Sequence, residues 1–148
     1  MFYHVRHSTY YDPAGIFGKD VYNKFPNMVE DISEAGKCIA FDRPTAAVFH
    51  LMRVMEIGVQ AFGTKLGVTL ANEMNWQKIL DLVNKEIKSR DHRFPETKEL
   101  AELSVQLYAV KVAWRNEVMH PKRTYSLNDA MIIFENVRLF LKALVLVI

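Results

Sequence analysis

The sequence predicts an all-α protein, a helical bundle of about five helices with an irregular N-terminal arm. Three observations predict it. From residue 26 onward, apolar residues recur every three or four positions through long segments. The breaks between those segments carry helix start and stop residues. No strand-like alternation of convincing length, internal repeat or low-complexity tract competes with that pattern.

At 148 residues, 50% apolar and 24% charged, the chain has the size and composition of one folded domain. A formal charge of +2 is close to neutral and argues neither for a strongly basic nucleic-acid coat nor against a local basic patch. The single Cys38 excludes an internal disulfide framework and the cysteine-rich zinc motifs. No apolar run reaches the roughly 18–20 residues of a membrane span, and the start lacks the marks of a signal peptide. A cytoplasmic protein with no membrane partner is expected. The apolar end Leu144-Val145-Leu146-Val147-Ile148 reads either as a surface needing a partner or as the edge of a longer protein.

Residues 1–25 read as the arm, and 26–148 as the helical domain. In the arm, Tyr10, Tyr11, Phe17, Tyr22 and Phe25 alternate with turn residues around Asp12-Pro13 and Gly18. They read as a strap plugging gaps on the bundle, with base-stacking platforms as the alternative. A first helix begins near Pro26 and carries Met28, Val29, Ile32, Ala35, Cys38 and Ile39 at helical spacing. Asp42-Arg43-Pro44 ends it, with Asp42 as the expected N-cap of the next helix.

That second helix, about 44–66, gathers Val48, Leu51, Val54, Met55, Val59, Phe62 and Leu66 into one arc of about 140°. Its other side holds His50, Arg53, Glu56 and Gln60, with Phe49 and Ile57 among them. Two readings stay open. One is a partly buried ion pair between Arg53 and Glu56 beside a surface histidine; the other makes the stripe one wall of a polar site.

A third, plainly amphipathic helix is expected over 76–89, with Asn75 as its N-cap. The fourth runs from about Glu96 to Met119. Leu100, Leu103, Leu107, Val110 and Trp114 form one apolar arc, and Ala101, Val105, Tyr108, Ala109, Val112 and Met119 a second. Between them lies a polar seam of Ser104, Lys111 and Arg115. A helix apolar on two sides is central to its bundle or shared with a partner chain. The fifth helix, about 127–146, opens with the capping box Ser126-Leu127-Asn128-Asp129.

The chemistry-bearing stretch is Trp114-Arg115-Asn116-Glu117-Val118-Met119-His120-Pro121. No Gly-rich phosphate loop, Gly-x-Ser-x-Gly elbow or pair of histidines four apart is present, so the common nucleotide-hydrolase, serine-hydrolase and zinc-hydrolase signatures are missing. No metal or cofactor is called for. On an unbroken helix Arg115 and His120 would point about 140° apart. Pro121 disfavours a helical His120, so the imidazole can swing back toward Arg115, with Asn116 placed to orient it. Lys111, Arg115, Lys122 and Arg123 make the segment basic against the single acid Glu117. The spacing itself is weak, since Arg43 and His50 also fit an interval of four to six residues. The proline, Asn116 and the basic cluster single out Arg115 and His120. Their alternative reading is two cations complementing the helix dipole.

Such a set suits phosphodiester chemistry. RNA supplies its own 2′-hydroxyl as nucleophile, a histidine near neutrality moves the proton, and a guanidinium stabilises the phosphoryl charge.

At these residues the chain resembles the HEPN family, named for higher-eukaryote and prokaryote nucleotide-binding domains. That family is an all-α bundle with an Arg-x4–6-His motif late in a helix, often with a polar residue after the arginine. Arg115-Asn116-Glu117-Val118-Met119-His120 matches it, and Thr45 to Glu56 looks like the family's polar-striped earlier helix. The resemblance covers about residues 27–146. It implies a metal-independent endoribonuclease of toxin or defence type, acting as a homodimer and held by an antitoxin protein in some members. By that likeness Arg115 and His120 are catalytic, Asn116, Glu56, Arg53 and His50 supporting, and Lys111, Lys122 and Arg123 RNA-binding. Lys122 stands where some members carry a modifiable tyrosine, so that switch is not implied here. Two other readings remain: a non-catalytic nucleotide- or RNA-binding module, and a helical dimerisation module of a larger protein.

Overall fold

A computed structural model describes residues 14–67, 76–91, 93, 95–114 and 124–148. All regular structure among them is helical, as the periodicity predicts. In order, the helices are α1 (Ala14–Phe17), α2 (Lys19–Lys24), α3 (Val29–Ala40), α4 (Pro44–Lys65), α5 (Trp76–Ser89), α6 (Pro95–Trp114) and α7 (Leu127–Val147). A 3₁₀ turn, Pro26–Met28, leads into α3.

The centre is α7, which packs against both α4 and α6; α3 lies on α4, and α5 on α6. Its buried residues Ile133, Phe134, Val137, Phe140, Leu141 and Leu144 follow the helical period. They meet Leu51, Val54, Met55, Val59 and Phe62 of α4 and Leu100, Leu103, Leu107 and Val110 of α6 in one core. Each such side chain, fully withdrawn from water, contributes about 1.5–3 kcal/mol. The α4–α7 crossing is close at Gly58, where an added Cβ would lie 3.1 Å from Phe140 Cε1 and 3.2 Å from Leu141 Cδ2. The capping box at Ser126 is formed: Asp129 N donates to Ser126 Oγ at 3.1 Å, and Ser126 N to Asp129 Oδ2 at 3.2 Å.

The described part of the arm is not irregular. Residues 14–24 form α1 and α2, too short for a helical period to show in sequence, with Gly18 at φ 88° between them. Phe17, Val21 and Phe25 are buried against the bundle, and the Phe17 ring meets Phe134 edge-on at 5.1 Å. That is the strap reading; Tyr10 and Tyr11 lie outside the described residues.

Asp42 is not an N-cap. It takes φ 57° just past the end of α3, and the cap position of α4 falls to Arg43, with no side-chain cap. Arg43 N donates to Cys38 O at 2.6 Å and Asp42 N to Ile39 O at 3.2 Å, a Schellman closure of α3. The left-handed turn consumes the residue that capping would have used. It also turns the chain sharply, so that α3 and α4 lie side by side.

Part of the second apolar arc of α6 is uncovered by the described chain, although Ala101 packs against the core and Met119 lies outside the described residues. Leu100, Leu103, Leu107 and Val110 are buried, whereas Val105 is 65%, Tyr108 55% and Val112 44% exposed. Helix α7 likewise exposes Ile132, Leu139 and Leu146, spaced by sevens.

Candidate functional site

The hairpin of α3 and α4 builds the site. Asp31 and Arg53 lie equally far on either side of Asp42, so two helices of equal rise bring them level. His50 stands one turn before Arg53 on the same side of α4. Asp31 Oδ1 accepts from His50 Nδ1 at 2.9 Å and from Arg53 Nε at 3.0 Å; Oδ2 lies 3.1 Å from the same Nε. The ion pair expected between Arg53 and Glu56 is thus not the arrangement found, because the deeper carboxylate of Asp31 takes the guanidinium; Glu56 is half-buried one turn on.

The three side chains are graded from inside to outside, at 11% exposure for Asp31, 32% for His50 and 71% for Arg53. Burial pushes the Asp31 carboxyl up. The hydrogen bonds from His50 and Arg53, with the charges of both, outweigh it and hold the group below its ordinary range. Asp31 also sits in the first turn of α3, where the helix dipole favours an anion. The Arg53 guanidinium is pushed up by its bond to Asp31 first, with Glu30 and Glu56 adding to it.

An ionised carboxylate only accepts, so the hydrogen on the His50 ring belongs on Nδ1. Nε2 is left as a lone pair in the neutral ring, or a donor in the cation. Asp31 uses only Nε of Arg53, and the outer Nη groups make no hydrogen bond among the described residues. An imidazole Nε2 and a guanidinium fork on one helix face can together hold a phosphate oxygen and move a proton.

Asp31 was not among the residues predicted from sequence. Its signal was present: it stands in the buried register with Met28, Ile32 and Ala35, where an acid demands a cationic partner.

Of the other predicted residues, Lys111 is half-buried in the last turn of α6. Ser104, at the other end of the seam, is buried and donates to Asn84 Oδ1 of α5 at 3.0 Å, so it belongs to the α5–α6 contact. Arg115, Asn116, His120, Lys122 and Arg123 lie outside the described residues. The chain that follows them is fixed: Tyr125, itself buried, donates its N–H to Thr45 Oγ1 at 3.0 Å in the first turn of α4. Thr45 stands five residues before His50 on α4.

Elsewhere, the Cys38 thiol is pushed up by burial and by Glu34, which makes it a poor nucleophile. A shallow cavity of about 310 Å³ between Asp20, Asn23 and Lys24 of α2 and Val145 and Leu146 of α7 contains none of the predicted residues. Among the described residues no group of three or more His, Cys, Asp or Glu is placed to hold a metal ion. None of their helices is long and apolar enough to cross a membrane. Comparison of the chain with protein-family models, with curated proteins and with solved structures finds no match.

Proposed function

We propose that the chain is a metal-independent endoribonuclease of the HEPN kind, with Arg115 and His120 as its catalytic residues and a homodimer as its working form. The observation that carries this reading is the Asp31-held pair of His50 and Arg53, set on the helix to which Tyr125 ties the chain leaving the Arg115–Arg123 segment. In the reaction the 2′-oxygen attacks the adjacent phosphorus as its proton passes to a base. The bond from phosphorus to the 5′-oxygen breaks, and that oxygen receives a proton. The products are a 2′,3′-cyclic phosphate and a 5′-hydroxyl. His120 is a proton carrier, Arg115 stabilises the phosphoryl oxygens, and Asn116 orients the imidazole. Lys111, Lys122 and Arg123 bind the RNA backbone. Control by an antitoxin protein belongs to the same reading.

Incubation of the purified protein with total RNA in EDTA tests the proposal. It expects cleavage by wild type and none by the His120→Ala variant. Equal cleavage by both would overturn it. In a purely RNA-binding module, Lys122→Ala and Arg123→Ala would weaken salt-dependent binding while His120→Ala changed nothing.

A second reading, a helical dimerisation module, is favoured by the uncovered stripe of Val105, Tyr108 and Val112 on α6. It expects a stable dimer with no affinity for RNA. Sedimentation of the protein with and without an RNA oligonucleotide separates the two.

A further inference from the structure

We infer that Asp31 is the positioning residue of a phosphodiester-binding, proton-transfer site on α4, in which His50 Nε2 and the Nη groups of Arg53 face the ligand. The inference rests on the endoribonuclease reading for the identity of that ligand, an RNA backbone phosphate. Its geometry stands independently.

Three features carry it. First, Asp31 is buried while its two partners reach outward, so the carboxylate is a support and the cation and imidazole are the exposed face. Second, Asp31 fixes which ring nitrogen of His50 carries hydrogen. Free imidazole side chains in water favour hydrogen on Nε2; the 2.9 Å contact at Nδ1 reverses that preference and frees Nε2 to accept. Third, both oxygens of Asp31 converge on Nε of Arg53, which fixes the plane of the guanidinium. Its remaining N–H groups form the fork that matches two phosphate oxygens.

In the reaction above, His50 Nε2 supplies one proton-transfer group, taking the hydrogen of the 2′-hydroxyl or returning one to the departing 5′-oxygen.

The test uses a short RNA whose 2′-hydroxyls are all methylated, which binds but cannot be cleaved, together with its unmodified counterpart. In wild type, the ring nitrogen resonances of His50 should report hydrogen on Nδ1 and should move when the methylated oligonucleotide is added. Asp31→Ala should shift that hydrogen toward Nε2. Arg53→Lys, which keeps a positive charge beside Asp31, should weaken the oligonucleotide about tenfold, as loss of one charge-assisted fork allows. His50→Gln should retain binding and lose cleavage by a hundredfold or more.

No movement of the His50 resonances on adding the oligonucleotide would overturn the inference. So would wild-type cleavage that His120→Ala abolishes but His50→Gln and Asp31→Asn leave unchanged; the endoribonuclease reading would then stand. Movement of the resonances without any wild-type cleavage supports this site and overturns the nuclease reading instead.

Discussion

Asp31 on α3 and His50 on α4 are 19 positions apart in sequence and 2.9 Å apart in the fold. The contact exists because a left-handed residue folds α3 back along α4. It persists because a buried carboxylate needs partners, and His50 and Arg53 are the two that reach it.

That relationship has a measurable pH signature. The Asp31 carboxyl titrates below its ordinary range in the folded chain, so it stabilises the fold above the unfolded value of about 3.9. The contribution is lost as pH falls through the lower, folded value. Asp31→Asn should lower unfolding stability by about 1–2 kcal/mol at pH 7, since hydrogen bonds to charged groups are worth about 1.5–3 and Arg53 is mostly solvated. Urea titrations at pH 7, 5 and 3 should show the gap between the two proteins intact at pH 5 and shrinking by pH 3. A gap that failed to shrink between pH 5 and pH 3 would contradict the assignment.

Asp42 predicts a gain. Its φ of 57° is a conformation that costs most residues about 1–2 kcal/mol and glycine nothing. Aspartate tolerates it better than most, and glycine enlarges the unfolded ensemble, so the net change is small. Asp42→Gly should raise stability by about 0.5 kcal/mol, and Asp42→Val should lower it by about 1 kcal/mol or more. Thermal unfolding of the two variants gives the order, which an N-cap role for Asp42 would reverse for the glycine.

At Gly58, helices α4 and α7 pack tightly. Alanine gains up to about 1 kcal/mol of helix propensity, but its Cβ would press on Phe140 and Leu141, both fully buried. Gly58→Ala should therefore be destabilising by about 1 kcal/mol, and Gly58→Leu by about 3 kcal/mol, as overpacked cores are. Denaturant midpoints measure both. A stabilised alanine variant would show that the crossing is looser than the distances indicate.

Where helices are long, the sequence was readable. α4, α5 and α7 lie within a residue of the expected 44–66, 76–89 and 127–146, because a full apolar arc defines a helix and the Ser126 box or Pro44 defines its start. Helix α1 and helix α2 escaped, since a handful of residues around Gly18 shows no period. At the site, His50, Arg53 and Glu56 were legible as an odd polar stripe, but their partner was not. Periodicity reports faces within one helix, while the Asp31 contact depends on how two helices register across a turn. That turn is ambiguous for a related reason: an aspartate two residues before a proline suits both an N-cap and a left-handed cap, and only the Cys38 and Ile39 carbonyls decide between them. The doubly apolar character of α6 was likewise visible, and the uncovered Val105, Tyr108 and Val112 give it a physical form.

The central claim is that Arg115 and His120 cleave RNA through its own 2′-hydroxyl. The direct measurement is the rate and the product ends for one defined RNA oligonucleotide in EDTA, with wild type, Arg115→Ala and His120→Ala. The account predicts wild-type cleavage leaving 2′,3′-cyclic phosphate and 5′-hydroxyl ends. Each variant should be slower by about 10²–10⁴-fold, the usual contribution of a positioned acid or base. An intact oligonucleotide with wild type, or cleavage undiminished in the His120→Ala variant, would contradict it.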